Sequence, residues 1–239
     1  MDSLPRHADA MLPRPMTWYD WEKYVRQLPR GKAGGTDGVT YELVKDAPLV
    51  LQQVIFRGVN AMLAGQPLPP EWKGGTIHLL TKRDPTSQIK NLRPITLLQV
   101  TYKLFTSVVS DRLSYAMERG WTFETGQHSF RPHKQTRSPI SKLQYVIHDA
   151  KKHKCSVVVA YLDWFGAFSS VSLDKLYQSL EAIGMHPTDV NTIRNAQAGA
   201  WVRVRTQFGE TAQIEVLRGT PQGDCLSPSL FVFFINLCL

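Results

Sequence analysis

The run Cys155-Ser156-Val157-Val158-Val159-Ala160 constrains this chain more than any other stretch of it. Three consecutive valines lose side-chain freedom in a helix and fit a pleated strand. With apolar side chains pointing both ways, the run reads as a buried strand with layers on either side. It leads into Y-L-D-W-F-G-A-F-S-S-V, Tyr161 to Val171, so a single carboxylate, Asp163, stands where the strand over 155–163 emerges.

Helical patterns surround that strand. Thr17 can cap a helix carrying Trp18, Trp21, Val25 and Leu28 on one face. Residues 48–64 place Leu51, Val54, Ile55 and Met62 toward a core, and Gly65 ends the pattern. A long helix over about 96–119 carries Leu98, Tyr102, Phe105, Val109 and Leu113. Ser138-Pro139 starts another, through Leu143, Val146 and Ile147, and Ser172 caps one with Leu173, Leu176, Leu180 and Ile183. Gly75 to Lys82 reads as a strand, and W-V-R-V-R-T-Q with T-A-Q-I-E-V-L alternates around Gly209-Glu210 like a hairpin. The eleven residues R-G-K-A-G-G-T-D-G-V-T form a loop, and residues 1–16 read as a loose lead-in. Helices interleaved with few strands place the chain in the α+β class.

Pro228 opens an apolar helix with no later element to cover it, the pattern expected of a longer protein cut short and of an exposed apolar surface.

Hydrophobic content of 43% and charged content of 20% in 239 residues exclude a disordered chain. The net charge of +8 points to a polyanionic partner, nucleic acid before membrane, although a basic protein without such a partner has the same balance. The three cysteines have no C-x-x-C spacing, so neither a zinc site nor a disulfide framework is suggested. The N-terminus has no apolar signal region, and the most apolar stretch, residues 230–239, is too short to span a bilayer. These features lead us to expect an intracellular chain without a membrane partner.

Three stretches carry chemistry. An aspartate at the end of a strand can hold a metal rigidly, or simply cap the turn that follows. In R-G-T-P-Q-G-D-C-L-S-P, Arg218 to Pro228, glycines on either side of Pro221-Gln222 let the backbone approach a ligand; the same residues also make an ordinary tight turn. Lys82 and Arg93, on either side of a polar loop, can converge on phosphates or stand as solvated charges.

In order along the chain, R-G-K-A-G-G-T-D-G-V-T, W-K-G-G-T-I-H-L-L-T-K, N-L-R-P-I-T-L-L, Q-H-S-F-R-P, Y-L-D-W-F-G-A-F-S-S-V and R-G-T-P-Q-G-D-C-L-S-P resemble the blocks of reverse transcriptases. The closest resemblance is to the non-LTR (LINE-type) retrotransposon enzymes, over about residues 30–239. It implies a right-hand polymerase fold: a lead-in with a short helix over 1–29, fingers over 30–154 and a partial palm over 155–239, with the thumb absent. It also implies template-directed DNA synthesis from dNTPs on RNA, with an RNA template, a DNA primer and two Mg²⁺ ions.

Under that resemblance Asp163 is the first metal-binding, catalytic aspartate, and the carbonyl of Trp164 supports the second metal. Lys82, Arg93, Gln222 and Gly223 contact the dNTP, and Phe168 is the steric gate against a ribose 2′-hydroxyl. The basic segment around Arg131 and Lys134 contacts nucleic acid.

The chain departs from the family in several places. Ser129 and His133 replace both glycines of the family's Q-x-G-F-R-x-G-x-S-T, Ser169 replaces an acid, and Gly166 a frequent lysine. The aromatic-Ala-Asp-Asp block that should follow the Pro228 helix does not occur, because the chain contains no adjacent aspartate pair. The isolated chain is therefore expected to be inactive, with a missing palm and thumb segment; the alternative is a non-catalytic nucleic-acid-binding remnant of a retroelement.

Overall fold

The computed structural model describes residues 9–81, 88, 91–120, 126–164 and 166–236. In order, the elements are α1 (Trp18–Gln27), α2 (Tyr41–Lys45), α3 (Leu49–Leu63), a 3₁₀ turn (Pro70–Lys73), β1 (Gly74–Thr81) and β2 (Leu92–Leu98). Then come α4 (Val100–Gly120), α5 (Arg137–His153), α6 (Leu173–Ala182), α7 (Pro187–Gln197), β3 (Trp201–Thr206), β4 (Gly209–Glu210), β5 (Ile214–Glu215) and α8 (Ser227–Asn236).

The strands form one mixed sheet in the order β2-β1-β3-β4, with β5 also on β3. β1 runs antiparallel to β2, Ile77 facing Thr96, and parallel to β3, Ile77 facing Val204. β3 turns back into β4 and β5 as the hairpin expected around Gly209, with Arg205 opposite Glu210 and Trp201 opposite Glu215. The expected helix over 96–119 begins at Val100, because Leu92–Leu98 belongs to the sheet. Its first residues satisfy their backbone groups by pairing with β1, a long-range choice that local periodicity does not record.

The core gathers around α4, whose Tyr102, Leu104, Phe105, Val108, Val109, Leu113 and Met117 are all buried. Thr17 and Asp20 make a reciprocal capping box at the start of α1, which turns Trp21 and Val25 inward. α3 contributes Val59, Met62 and Leu63, whereas the expected Leu51 and Val54 are exposed. The apolar stripe of α3 faces α4 only in its second half.

The apolar surface expected to be exposed at the last helix is buried instead. In α8, Leu230, Val232, Phe233 and Ile235 are buried, because α4 and α6 pack against the helix. Four such side chains stabilise the fold by roughly 1.5–3 kcal/mol each relative to exposure. The exposed apolar surface lies elsewhere. α5 buries none of its residues. The segment expected as the buried strand joins no ladder among the described residues, with Val158 95% and Leu162 89% exposed. A strand exists only with a ladder partner, and none of the described residues pairs with 156–164.

Residues 10–16 are tied down rather than loose. The Asp189 carboxylate of α7 accepts from the amides of Met11 and Leu12. Asn60 of α3 bonds both the amide and the carbonyl of Met16, and Arg112 of α4 donates to the carbonyls of Leu12 and Arg14. Three helices hold one strap, which seals Leu12 and Met16 into the core.

Candidate active site

Three stretches far apart in the chain meet through backbone contacts. The Gly219 amide donates to the carbonyl of Val171 (2.8 Å) and the Thr220 amide to that of Phe168 (2.9 Å). Gly219 has φ +83°, and a Cβ there would sit 2.7 Å from Ser169 Cα, so only glycine allows the contact. On the other side, Thr96 of β2 donates to the Gln222 carbonyl (2.8 Å). Gly223, at φ +133°, lets the turn lie on Thr96, where a Cβ would meet the Thr96 oxygen at 2.4 Å. The glycine at position 223 thus has a packing reason of its own.

Between these stretches lies a cavity of about 710 Å³. Asp163, Trp164 and Phe168 line it from one stretch, Arg218, Thr220 and Gln222 from the second, and Arg93 from β2. Ile77, Leu79 and Val202 form an apolar floor on the sheet. Five residues singled out from the sequence are therefore neighbours around one space: Asp163, Trp164, Phe168, Arg93 and Gln222. Lys82 lies outside the described residues.

The Phe168 ring is half-buried between Phe130 (centroids 6.0 Å apart) and Phe231 of α8 (5.0 Å). That packing locks its orientation at the cavity wall. Asp163 is exposed and arrives on the unpaired segment rather than on a strand, while its neighbours 166–170 form a tight turn in which Ser170 donates to the Gly166 carbonyl (2.8 Å). Of the two residues expected to contact nucleic acid, Arg131 forms a bidentate ion pair with Glu118 (2.8 and 3.0 Å). The Lys134 ammonium has no carboxylate partner among the described residues.

Sequence reasoning missed three groups here. Glu215, in the hairpin, is the cavity's second carboxylate. Thr220 lines the cavity with a buried hydroxyl that has no hydrogen-bond partner among the described residues. Asp224, directly after the Gln222-Gly223 turn, is 5% exposed, and neither of its carboxylate oxygens has a partner in good hydrogen-bond geometry among the described residues. Burial pushes its pKa up to about 6; the Thr106 hydroxyl, the amides of Leu226 and Cys225, and the Lys103 ammonium oppose the rise without cancelling it. Composition and spacing mark Glu215 and Thr220 in no way, and Asp224 reads from sequence as one more turn residue.

Residues 80–239 match the family described as Reverse transcriptase (RNA-dependent DNA polymerase). The chain belongs to the reverse transcriptase family. It is 26% identical, over its whole length, to the Transposon TX1 uncharacterized 149 kDa protein of Xenopus laevis. Over 98% of its length it is 26% identical to the probable RNA-directed DNA polymerase from transposon BS, and 23% identical to the RNA-directed DNA polymerase from mobile element jockey, both of Drosophila melanogaster. It spans 18% of the first of these proteins, 26% of the second and 27% of the third. Its relatives are thus non-LTR retrotransposon reverse transcriptases, of which it covers the reverse transcriptase part.

Reverse transcriptases are nucleotidyltransferases that use divalent metal. A two-ion centre needs several converging carboxylates. The cavity offers Asp163 and Glu215, and no group of three histidine, cysteine, aspartate or glutamate side chains able to hold a metal occurs among the described residues. This donor set does not fit a two-ion centre.

Proposed function

We propose that this chain is the fingers and partial palm of a right-hand RNA-directed DNA polymerase, with fingers over 30–154 and palm from 155, and that it holds template and nucleotide without polymerising by itself. The observation that carries this reading is the convergence of Asp163, Phe168, Arg93 and Gln222 on one cavity of about 710 Å³. In it, Arg93 offsets the charge of an incoming triphosphate, an interaction that guanidinium makes in bidentate form, and the resemblance gives Lys82 the same role. The Gln222 amide orients the nucleotide, and the locked Phe168 ring packs against the sugar, where a 2′-hydroxyl would collide. Template RNA and DNA primer are the macromolecular partners, in an intracellular setting.

The chemistry of the family is attack of a primer 3′-hydroxyl on the α-phosphate of a dNTP, with release of pyrophosphate. With Asp163 and Glu215 as the only carboxylates lining the cavity among the described residues, the charge of two Mg²⁺ ions is under-compensated, so the isolated chain binds and does not turn over. The same deficit favours a second reading, a nucleic-acid-binding remnant of a retroelement. A primer-extension assay on an RNA template with Mg²⁺ is expected to give no product, while primer–template binding weakens as salt rises. Incorporation that disappears in Asp163→Ala would overturn the proposed inactivity, and binding that ignores salt would remove both readings.

A further inference from the structure

Two local measures make Phe130 an unfavourable residue. Its φ is 53°, in the left-handed region that glycine favours, and its side chain is 55% exposed. A non-glycine residue keeps such a conformation only where its surroundings over-determine it. Those surroundings are a clamp on α4. Arg131, next in the chain and with its side chain 11% exposed, bonds both carboxylate oxygens of Glu118 (2.8 and 3.0 Å). Its guanidinium also donates to the Gln127 carbonyl (3.0 Å), and the Ser129 amide donates to the Gln127 side-chain oxygen (3.0 Å). A bidentate guanidinium–carboxylate pair fixes direction as well as distance. The loop 127–131 is thus held without any help from the Phe130 side chain.

What the clamp presents is a ring contact. The Phe130 ring meets Phe168 edge-on, with centroids 6.0 Å apart and planes at 70° to one another. Phe231 of α8 lies nearer to Phe168, at 5.0 Å, but its plane is tilted by 38°, neither stacked nor edge-on. An edge-to-face pair is directional, because the positive edge of one ring meets the negative face of the other. Turning either ring loses it. Phe231 therefore supplies bulk against Phe168, and Phe130 supplies orientation. Phe168 lines the cavity, whereas Phe130 does not.

We infer that Phe130 is a positioning residue for nucleotide choice: held by the Glu118–Arg131 pair, it fixes the Phe168 ring in the orientation that meets a ribose 2′-hydroxyl. The inference rests on the proposed place of Phe168 against the sugar. It also gives the Arg131 side chain a task, which is to hold the loop that carries Phe130.

The test is isothermal titration calorimetry of the whole chain with dATP and with ATP, each with Mg²⁺, read as the ratio of the two dissociation constants. A general loosening of the fold weakens both nucleotides together and leaves that ratio alone. The wild-type chain is expected to bind dATP more tightly than ATP. In Phe130→Ala the preference is expected to fall by between about twofold and tenfold, the range an edge-to-face pair is worth. Phe130→Tyr keeps the ring edge and is expected to keep the preference. Glu118→Ala releases Arg131 and is expected to shift the ratio in the same direction as Phe130→Ala; an unchanged ratio overturns the clamp. In a Phe168→Ala background, Phe130→Ala is expected to change the ratio no further, since the two rings act as one unit. A wild-type preference that survives intact in Phe130→Ala, or a further fall in the Phe168→Ala background, overturns the inference and leaves the role of Phe168 standing. Equal binding of dATP and ATP by the wild-type chain, or binding of neither, removes the role of Phe168 and this inference with it.

Discussion

Replacing Asp224 by asparagine is expected to stabilise this protein at neutral pH and to change little in acid. The carboxyl is buried against Tyr102, Lys103 and Thr106 of α4, and its pKa is raised to about 6. In the unfolded chain an aspartate titrates near 3.9, about two units lower, and each unit is worth about 1.4 kcal/mol. The folded state therefore holds its proton more tightly. The stability this contributes is fully present below about pH 4 and is lost as pH rises through about 6. Above that pH the ionised carboxylate costs the fold about 3 kcal/mol, for want of good partners. Asparagine keeps the shape and an acceptor for the nearby amides but removes the charge. Urea denaturation should show Asp224→Asn more stable by about 2–3 kcal/mol at pH 7.5, with an unchanged slope, and nearly equal to wild type at pH 4. An Asn variant less stable than wild type at pH 7.5, or a gain of equal size at both pH values, would refute the reasoning. The cost falls on the residue that follows Gln222-Gly223, at the place where the turn must be held against α4. A carboxylate kept there at the expense of stability is the kind of compromise found at functional sites.

Gly219→Ala should separate the turn from the segment after Asp163, since its Cβ overlaps Ser169 and its φ is positive. A loss of about 2–3 kcal/mol is expected by thermal or urea denaturation, and a neutral substitution would show that the two stretches are not docked as described. Amide hydrogen exchange over 156–162 should be nearly unprotected while β1 and α4 exchange slowly, because the valine run has no ladder partner among the described residues. Slow exchange across the three valines would mean that a strand partner exists after all.

The helices were the most legible part of the sequence. Trp21 and Val25, Phe105, Val109 and Leu113, and Leu176 and Leu180 are buried as their spacing requires, because a helix satisfies its own backbone and its apolar stripe is a local property. The hairpin around Gly209 was legible for a similar reason, since both its strands lie close in sequence. Residue types and order singled out Asp163, Phe168, Arg93 and Gln222, which the fold brings around one cavity. Thr220 and Glu215 were not legible, because their importance comes only from which way they face.

Taken alone, the sequence determined the family, the chemistry of the residues around the cavity and the absence of an adjacent aspartate pair from these 239 residues. All of these are matters of residue identity and order. The tertiary structure decided what depends on pairing across distance. It put Leu92–Leu98 in the sheet, left the valine run without a ladder partner among the described residues, covered the apolar last helix with α4 and α6, and buried Asp224. A strand or a buried charge is defined by its neighbours, and those neighbours are supplied by the fold rather than by the adjoining residues.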